Sequence, residues 1–430
     1  MKTLLKNVTA LIRKGEGKYV TRLTDICIDG SKIVSVSKSN KSFSPDKVID
    51  GTGKLAIPGF INAHTHAYMT CFRGLADDLP FNEWLFERIM PNEDRLTNED
   101  AYDASLAGCL EMLKTGTTCY LDMHMFKGMS AKASLDTGIR CVLSRGLVGN
   151  GDDEAGSTRL AQAFGEMETF SSCPTLSFAL APHAIYTTDA DFLKKVSALA
   201  KKHSLPVHIH LSESVNEVEE CKAKTGMTPV EYLDSIGFFE NKVIAAHCTN
   251  LTDNDIKILA SRKVNVVLCV RSNMKLGNGI PPIKKLFDAG INLCVGTDSA
   301  ASNNTLDLFS ELAMVSLVSK GVERSPVCLT ASQVLDMATY NAANALGIDS
   351  GVIAKGKNAD IALLDLNAPA FVPANDIVSS LCYSANGSEV DTVIVGGEIV
   401  VENGRLVSMD EKEITYRVSK IIPRLKENAK

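Results

Sequence analysis

The chain has 430 residues, of which 45% are apolar and 22% are charged, and its formal net charge is −6 at pH 7. This length and apolar content allow a large buried core, such as a (β/α)₈ barrel with an accessory module, and exclude an intrinsically disordered chain. No basic run extends beyond Lys201-Lys202, so the composition argues against a nucleic-acid partner and favours a small-molecule substrate.

The amino-terminal stretch has neither the pattern of a signal peptide nor that of a membrane span. Charged residues including Lys6, Arg13 and Lys14 interrupt its apolar residues, and nowhere do about 18 apolar residues run together. The 12 cysteines include no CxxC pair, and several lie inside apolar runs such as "VVLCV". We therefore expect reduced, buried cysteines in a cytoplasmic protein that neither enters a membrane nor is exported.

The predicted elements divide the chain into four stretches. Residues 1–57 read as short alternating strands separated by Gly, Asn and Asp, and residues 357–408 return to the same texture. Residues 58–356 alternate β-branched runs with helix-like segments, and residues 409–430 predict a terminal helix interrupted near Pro423. Because neither flanking stretch can form a core alone, we expect the two chain ends to build one small composite β-sandwich.

The central stretch contains eight strand-like runs. In chain order they read "GFINAHTH", "TTCYLDMH", "RCVLSRGL", "LSFALAPH", "PVHIHLSE", "VIAAHC", "VNVVLCV" and "NLCVGTD". Between them, segments such as "DFLKKVSALAKKH" at 191–203 and "DNDIKILASRK" at 253–263 carry apolar residues at three- and four-residue spacing, as amphipathic helices do. Eight βα units predict an α/β fold with a parallel (β/α)₈ TIM barrel.

Histidines and one aspartate stand where several of these strands end. His64 and His66 are two residues apart in one strand, so both side chains point into the barrel mouth. On the fifth strand the spacing permits either His208 or His210 as a third ligand, and His210 lies nearer the carboxyl-terminal rim where barrel chemistry occurs. Asp298 ends the eighth strand as a lone carboxylate. Because a divalent ion held by imidazoles and a carboxylate lowers the pKa of bound water from about 15.7 to about 7, the pattern predicts a metal-dependent hydrolase.

Further polar residues follow other strand ends. Glu213 lies just past the fifth strand, where a carboxylic acid could carry a proton to a substrate; the alternative is a solvated start to the acidic helix "SESVNEVEE". His247 ends the sixth strand in "AAHC", where it faces either the mouth or the core. His124 ends the second strand, and its position leaves pocket lining and surface equally open. The fourth strand offers His183 instead of a lysine, so no bridging carbamate for a second ion is expected there.

The motifs "PGFINAHTH", "HIHLSE", "AAHC" and "GTDSAASNN" together resemble the metal-dependent amidohydrolase superfamily over nearly the whole chain. The longer motifs at 69–97, "SRGLV", "APHAIY" and "SNMKLGNG" resemble, more narrowly, the 5-methylthioadenosine/S-adenosylhomocysteine deaminases. This resemblance implies a distorted (β/α)₈ barrel with a composite β-sandwich. It also implies hydrolytic loss of the 6-amino group from a 5′-modified adenosine, with release of ammonia.

The resemblance also implies roles for the residues at the strand ends. Four ligands would hold one divalent ion, either Zn²⁺ or Fe²⁺: His64, His66, His210 and Asp298. His247 would bind the attacking water through a hydrogen bond. Asp298 would take the proton of that water, and Glu213 would protonate the ring nitrogen beside the carbon under attack.

By the same matching, five side chains would contact the nucleoside. Glu93 would accept hydrogen bonds from the ribose hydroxyls, His183 would contact the sugar, and Trp84 would line the pocket. Arg145 and Arg159 are placed like the basic residues that meet the amino-acid tail of S-adenosylhomocysteine, since a guanidinium binds a carboxylate through two hydrogen bonds. A solvated Arg159 and a purely structural Trp84 are the competing interpretations.

The chain departs from many relatives at Leu268–Arg271, where a His-Asn-Pro or His-Cys-Pro stretch is common, so substrate preference is less secure than the reaction. One alternative is deamination or dechlorination of another amino-heterocycle, such as guanine or a triazine, and Glu93 and His183 count against it. Another is a non-catalytic scaffold, which the full ligand set and Glu213 oppose. The cytidine-deaminase zinc signature is absent from the sequence. The subunit count, a homo-oligomer included, stays open.

Overall fold

A computed structural model describes residues 1–38, 40 and 42–427, and the last three residues of the predicted terminal helix lie outside the described residues. The amino-terminal strands are β1 (Lys2–Gly15), β2 (Lys18–Asp29), β3 (Lys32–Ser37), β4 (Lys47–Asp50) and β5 (Lys54–Pro58). The next strands are β6 (Phe60–Thr65), β7 (Thr117–His124), β8 (Arg140–Leu147), β9 (Leu176–Pro182), β10 (Val207–Leu211), β11 (Val243–His247), β12 (Asn265–Leu268) and β13 (Leu293–Val295). The carboxyl-terminal strands are β14 (Ile361–Asp365), β15 (Val390–Val395), β16 (Glu398–Glu402) and β17 (Arg405–Leu406).

Strands β6 to β13 form one parallel eight-stranded sheet in chain order, which confirms the predicted barrel. Nearly every residue of these strands is buried, because helices cover the outer face and side chains fill the interior. At the seam between β13 and β6, the backbone N–H of Asp298 donates to the carbonyl of His64 at 3.0 Å. The Asn62 amide bonds to the Thr297 backbone N–H at 3.0 Å and to its hydroxyl at 2.7 Å, so a side chain completes the seam.

Helices surround the barrel between and after its strands. They span Met90–Glu93, Asn98–Lys114, Met129–Thr137, Glu154–Phe170, Ala190–His203, Val215–Thr225, Pro229–Ser235, Asp253–Ser261, Val270–Lys275, Ile283–Asp288, Ala300–Asn303, Leu308–Glu323, Ala331–Met337 and Tyr340–Leu346. Several begin at a reciprocal capping box: Thr97 with Asp100, Thr228 with Glu231, Thr252 with Asp255 and Thr330 with Gln333. Each box satisfies two backbone groups at a helix start and thereby fixes where the helix begins. A π-helix at Glu83–Ile89 and short 3₁₀ turns at Ala67–Phe72, Phe238–Glu240 and Pro369–Phe371 complete the described helical segments.

The two chain ends meet in a second, nine-stranded sheet, as the sequence predicted. Its central path runs β17-β16-β15-β14-β5-β1-β2-β3, with β4 paired to β1. The junction is the antiparallel pairing of β14 with β5, which places a carboxyl-terminal strand beside an amino-terminal one. One buried apolar cluster draws on both ends, including Leu5, Ile26, Ile361 and Ile394. Neither end could bury these side chains without the other.

Asp336 fastens the β1–β2 hairpin to the barrel. Its carboxylate accepts two hydrogen bonds from the Arg13 guanidinium, at 2.7 and 3.0 Å, and one from the Tyr19 hydroxyl at 2.5 Å. The backbone N–H of Gly17 donates to the same carboxylate at 2.7 Å. The buried charge is thus matched by a guanidinium and by further donors, as a buried carboxylate requires.

The remaining helices, Ile377–Tyr383, Glu411–Ser419 and Ile421–Glu427, lie in the carboxyl-terminal part. The interruption expected near Pro423 falls instead at Lys420, because Pro423 occupies the first turn of the last helix, where proline is tolerated. The seventh barrel strand also ends earlier than its apolar run, at Leu268, and a helix begins at Val270. In the described part of the chain, no helix is both long and apolar enough to cross a membrane.

Candidate metal centre and active site

Four side chains at the carboxyl ends of β6, β10 and β13 converge on one point. Nε2 of His64 and Nε2 of His66 lie 3.4 and 3.5 Å from Oδ1 of Asp298, and Nε2 of His66 lies 3.3 Å from Nε2 of His210. All four residues are buried. The structure therefore brings together the four side chains that the sequence predicted as ligands, although they are more than 230 positions apart at the extremes.

These separations fit a divalent cation. Ligands placed tetrahedrally at about 2.1 Å from an ion lie about 3.4 Å from one another. Burial lowers the pKa of His64 to about 4 and that of His210 well below its ordinary value, so these rings are neutral at pH 7. Burial opposes ionisation of Asp298, but its hydrogen bonding and proximity to His64 hold the Asp298 pKa below its ordinary value. Neutral imidazoles beside a carboxylate are the protonation forms that bind metal ions.

Each candidate ligand is oriented by a second contact. Nδ1 of His66 lies 2.7 Å from the carbonyl of Met123, and Nδ1 of His210 lies 2.8 Å from the carbonyl of His183. Because a carbonyl can only accept, both Nδ1 atoms are the donors, which leaves the Nε2 lone pairs directed at the centre. Such contacts fix the tautomer and ring orientation of metal-binding histidines.

The Asp298 carboxylate is held from the side away from the histidines. Hydroxyls of Ser272 and Ser302 both donate to its Oδ2 atom, at 2.6 and 2.8 Å. The other oxygen, Oδ1, faces His64 and His66. The two serines therefore set which oxygen of Asp298 is free for an ion or a proton.

Glu213 lies beside this cluster and is also buried. Its Oε2 atom is 3.8 Å from Nε2 of His247, and its Oε1 atom accepts a hydrogen bond from Nδ2 of Asn278 at 3.1 Å. Burial, reinforced by the charge of Asp298, raises the pKa of Glu213 to about 8. The carboxyl group is therefore protonated at neutral pH, as a general acid must be. The sequence left open a solvated position for Glu213 at the start of an acidic helix. The burial of Glu213 contradicts that alternative.

His247 points into the same space, and its Nδ1 lies 2.9 Å from Oδ1 of Asn273. Backbone strain accompanies the site: φ is +50° at Ser212, +73° at His247 and +60° at Asp298. Residues other than glycine rarely adopt this left-handed region, and such residues concentrate at functional sites. Here the conformation turns the chain sharply at the strand end.

Three adjoining cavities lead outward from the cluster. The inner cavity, about 50 Å³, is bordered by His66, His210, Glu213, His247 and Asp298. The middle cavity, about 150 Å³, shares His66 and His183 with the inner one. The outer cavity, about 630 Å³, shares Glu93 and Arg159 with the middle one. A long, segmented ligand with one end at the metal ligands would fit this series.

The residues matched to the sugar lie at the inner and middle cavities. Glu93 ends the helix Met90–Glu93, lines the middle cavity and accepts a short hydrogen bond from the Tyr68 hydroxyl. Burial, with nearby His66, lowers the pKa of His183 to about 3, so this ring is neutral where it borders both cavities. Trp84 is 6% exposed and lines the inner cavity.

The two arginines differ in their surroundings. Arg159 lines both the middle and the outer cavity, with Nη1 3.7 Å from the Met125 sulfur, a contact that does not neutralise its charge. Arg145 borders the outer cavity, but its guanidinium donates to the carbonyl of Met125 at 2.8 Å and to Oε1 of Gln162 at 2.5 Å. Arg159 is thus the more available of the two for an anionic group.

Two histidines that the sequence left open are both fully buried. His124 is neither at the surface nor among the residues lining the three cavities. Its Nε2 atom lies 3.1 Å from Oε2 of Glu166. Nε2 of His208 lies 2.9 Å from Nδ1 of His64. His208 therefore contacts a candidate ligand without joining the ligand cluster.

Sequence reasoning overlooked the supporting residues around the site: Tyr68, Glu217, Ser272, Asn273, Asn278 and Ser302. Glu217 accepts the backbone N–H groups of Ser212 and Glu213 at 2.9 and 2.7 Å and so holds the turn that carries Glu213. The motif "SNMKLGNG" was a usable signal, because it places polar side chains directly after a barrel strand.

A groove of about 960 Å³ lies at the opposite, amino-terminal end of the strands, bordered by Phe178, Leu205 and Lys242. It is larger than any of the three cavities at the metal ligands. In barrel enzymes, however, the amino-terminal face contributes to stability and the carboxyl-terminal face carries the chemistry. The convergence of the candidate ligands therefore favours the carboxyl-terminal end of the strands as the position of the site.

The fold and the site together define a metal-dependent hydrolytic barrel. The chain belongs to the amidohydrolase family, whose model matches residues 55–400. This result confirms the resemblance inferred from the strand-end motifs.

Individual relatives agree. A 5′-deoxyadenosine deaminase of Methanothermobacter thermautotrophicus is 43% identical over 398 residues, which cover 91% of this chain and 92% of the relative. A 5-methylthioadenosine/S-adenosylhomocysteine deaminase of Dictyoglomus thermophilum is 43% identical over 390 residues, or 90% and 92% of the two chains. An adenosine deaminase of Xanthomonas campestris, solved with bound zinc, has a TM-score of 0.94 at 31% identity, covering 99% of this chain and 98% of its own. The bound zinc and the ligand cluster together support a divalent metal ion.

Proposed function

We propose that the protein is a hydrolytic deaminase of 5′-modified adenosines, namely 5-methylthioadenosine and S-adenosylhomocysteine, with 5′-deoxyadenosine and unmodified adenosine as further candidate substrates. Water and the substrate would give the inosine analogue and ammonia: a C–O bond forms at C6 of the purine and the C–N bond to the amino group breaks. The observation that carries the proposal is the position of the buried Glu213 beside four convergent candidate metal ligands, at the inner end of a series of cavities. Names of relatives that act on such nucleosides support the substrate class.

His64, His66, His210 and Asp298 would hold the ion, and we propose Zn²⁺, because imidazole nitrogens and a carboxylate oxygen are ligands that suit it and because a similar structure contains zinc. Fe²⁺ is the other candidate. When bound, the ion supplies a Lewis acid that makes water nucleophilic near neutral pH.

The two carboxyl groups would divide the proton transfers. The pKa of Asp298 is held low, so its carboxylate would accept the proton of the attacking water, while burial raises the pKa of Glu213, so this group would donate to the ring nitrogen next to C6. Two neighbouring carboxyl groups with pKa values displaced in opposite directions are typical of a base and an acid in one site. His247 would hold the water through Nε2, because its Nδ1 is engaged with Asn273.

The cavities beyond the cluster would receive the rest of the nucleoside. Glu93 and His183 border the middle cavity, where a ribose hydroxyl could donate to the Glu93 carboxylate. Arg159 stands where the middle cavity opens into the outer one, at the place for a 5′ substituent. A purine base alone would leave the middle and outer cavities without a ligand group.

An ammonia-release screen of the metal-loaded protein tests the proposal. The substrates are adenosine, 5′-deoxyadenosine, 5-methylthioadenosine, S-adenosylhomocysteine, guanine and an aminotriazine. We expect the highest kcat/KM of the series to belong to one of the 5′-modified adenosines. Preferential turnover of guanine or of the triazine would replace the proposed substrate class, and a metal-loaded protein without turnover on all six would favour a scaffold.

We also propose that the protein acts in the cytoplasm. Its cysteines are free thiols, ten of them buried and two half-buried, as expected in a reducing compartment. Fractionation of cells that express the protein would test this, and recovery outside the cytoplasmic fraction would contradict it.

A further inference from the structure

One short segment after β12, residues 272–278, touches each of the three groups assigned to proton transfer and water binding. We call it the positioning segment. Its first residue, Ser272, donates to Oδ2 of Asp298 at 2.6 Å, and its second, Asn273, lies against Nδ1 of His247 at 2.9 Å. In each contacted residue the other polar atom faces the cluster: Oδ1 of Asp298 lies near His64 and His66, and Nε2 of His247 lies near Glu213. The contacts therefore leave Oδ1 of Asp298 and Nε2 of His247 available for the proposed proton transfer and water binding.

The last residue of the segment makes the corresponding contact to the acid. Asn278 is 5% exposed, and its Nδ2 atom donates to Oε1 of Glu213 at 3.1 Å. The backbone around this pair is also tied together, because Nδ2 of Asn250 donates to the carbonyls of both Glu213 and Asn278, at 2.9 and 3.2 Å. The backbone N–H of Asn278 donates to the carbonyl of Asn273 at 2.8 Å, which fixes the shape of the segment.

The chemistry of this contact distinguishes the two oxygens of Glu213. An amide N–H group only donates, so Oε1 is the acceptor in this contact. In a neutral carboxyl group the carbonyl oxygen is the stronger acceptor, so the contact favours Oε1 as the carbonyl oxygen. The contact thereby favours the arrangement of the neutral acid in which Oε2 carries the proton. Oε2 lies 3.8 Å from Nε2 of His247, and both residues border the inner cavity.

We propose that Asn278 is a positioning residue that directs the transferable proton of Glu213 toward the substrate. The proposal rests on the proposed function, because it assumes that Glu213 is the acid of the deamination. Without Asn278 the carboxyl group can rotate or place its proton on Oε1, away from the substrate. The rate of proton delivery then falls, while the substrate still binds.

A double-mutant cycle on turnover tests this role. Asn278→Leu removes the donor with little change of shape, and Glu213→Ala removes both the acid and the acceptor oxygen. We expect Asn278→Leu to lower kcat about tenfold or more in the wild-type background, with KM changed by less than about twofold. In the Glu213→Ala background the same change should lower kcat by less than about twofold, because residues that act as one unit are strongly non-additive.

Asn254 provides a matched control. Its Nδ2 atom also donates to a glutamate oxygen, Oε1 of Glu231, at 2.8 Å, but at the exposed surface. Asn254→Leu should leave kcat and KM unchanged. If Asn278→Leu fails to fold, Asn278→Asp serves in its place, since it keeps the shape and replaces the donor by a carboxyl oxygen.

The outcomes are distinct. Equal losses from Asn278→Leu in both backgrounds, or a wild-type kcat in that variant, overturn the positioning role. A wild-type protein that deaminates none of the adenosines overturns the proposed function instead. In that case the Tm values of the wild type, the two single variants and the double variant test the contact between Asn278 and Glu213 alone. If the two residues are coupled, Asn278→Leu lowers Tm less when residue 213 is already alanine. Identical Tm shifts in both backgrounds would reject the coupling.

Discussion

Nδ1 of His64 lies 2.9 Å from Nε2 of His208, and both rings are completely buried. If Nε2 of His64 binds the ion, Nδ1 carries the hydrogen and donates it to His208. The inner histidine of "HIHLSE" would therefore orient a ligand contributed by another strand. This contact gives a role to His208, which shares one face of β10 with His210 although only His210 joins the ligand cluster.

His208→Leu is therefore expected to weaken metal binding about 10- to 100-fold, because second contacts to metal-binding histidines typically contribute that much. Competition between the protein and a chelator of known affinity measures the effect without reference to turnover. His203→Leu is the control, since His203 is exposed on the outer helix Ala190–His203. An unchanged affinity in His208→Leu would show that packing alone orients His64.

Glu213→Gln should lower kcat about 10²- to 10⁴-fold, the usual contribution of a general acid, without unfolding the protein. The glutamine keeps the size of the side chain and an oxygen that can accept from Asn278. Steady-state ammonia release and a melting curve give the two quantities. Glu219→Gln, on the exposed side of the following helix, should behave as wild type. Normal turnover by Glu213→Gln would remove Glu213 from its assigned role.

The pH dependence follows from the same group. The pKa of Glu213 is raised to about 8, so the acid is protonated below that pH and loses its proton above it. Since the proton donor must be protonated, kcat/KM should be constant or increasing up to about pH 8 and should fall at higher pH. A pH profile of kcat/KM for 5′-deoxyadenosine measures this limb. A rate that continues to rise well above pH 8 would contradict the assignment.

Arg159 should select for the 5′ substituent. Arg159→Ala is expected to raise KM for S-adenosylhomocysteine about 10- to 100-fold, because a hydrogen bond to a charged group contributes about 1.5–3 kcal/mol. KM for 5-methylthioadenosine, which has no carboxylate, should change far less. Arg145→Ala is the comparison: its guanidinium is engaged with Met125 and Gln162, so we expect a lower Tm more than a selective change in KM. Equal effects of Arg159→Ala on both substrates would exclude a contact with the carboxylate.

The parts of the structure that follow from local patterns could be predicted from the sequence. His64 and His66 share a strand face by their spacing, and eight buried runs identify the barrel, so the positions of both histidines follow from period and strand order. The contacts of Asn278 and Ser272 could not be predicted, because they depend on a helix that begins at Val270, inside an apolar run that reads as strand. Which oxygen of Glu213 faces the cavity is likewise a property of three-dimensional packing, since it depends on residues about 65 positions away.

The last prediction concerns Gly296, which lies at the seam where β13 meets β6. A β-carbon placed there would lie 2.8 Å from the backbone nitrogen of His64 and 2.9 Å from its β-carbon, closer than such atoms approach in proteins. The His64 backbone would have to move, and overpacking of this kind costs about 1–3 kcal/mol. Because the same residue is a candidate metal ligand, Gly296→Ala should lower both the stability and the affinity for the metal ion.

Gly321 distinguishes this local effect from a general effect of replacing glycine. It lies in the helix Leu308–Glu323, and no atom lies within 4 Å of a β-carbon added there. Gly321→Ala should therefore stabilise the protein by up to about 1 kcal/mol, because alanine is the better helix former. Melting curves with and without added Zn²⁺ measure both variants. Gly296→Ala should have a lower Tm and a smaller increase in Tm on adding the metal, since a ligand that binds the folded state stabilises it less when its affinity is lower. A wild-type increase in that variant would mean that the seam can absorb the methyl group without moving His64, and the link between barrel closure and ligand geometry would be wrong.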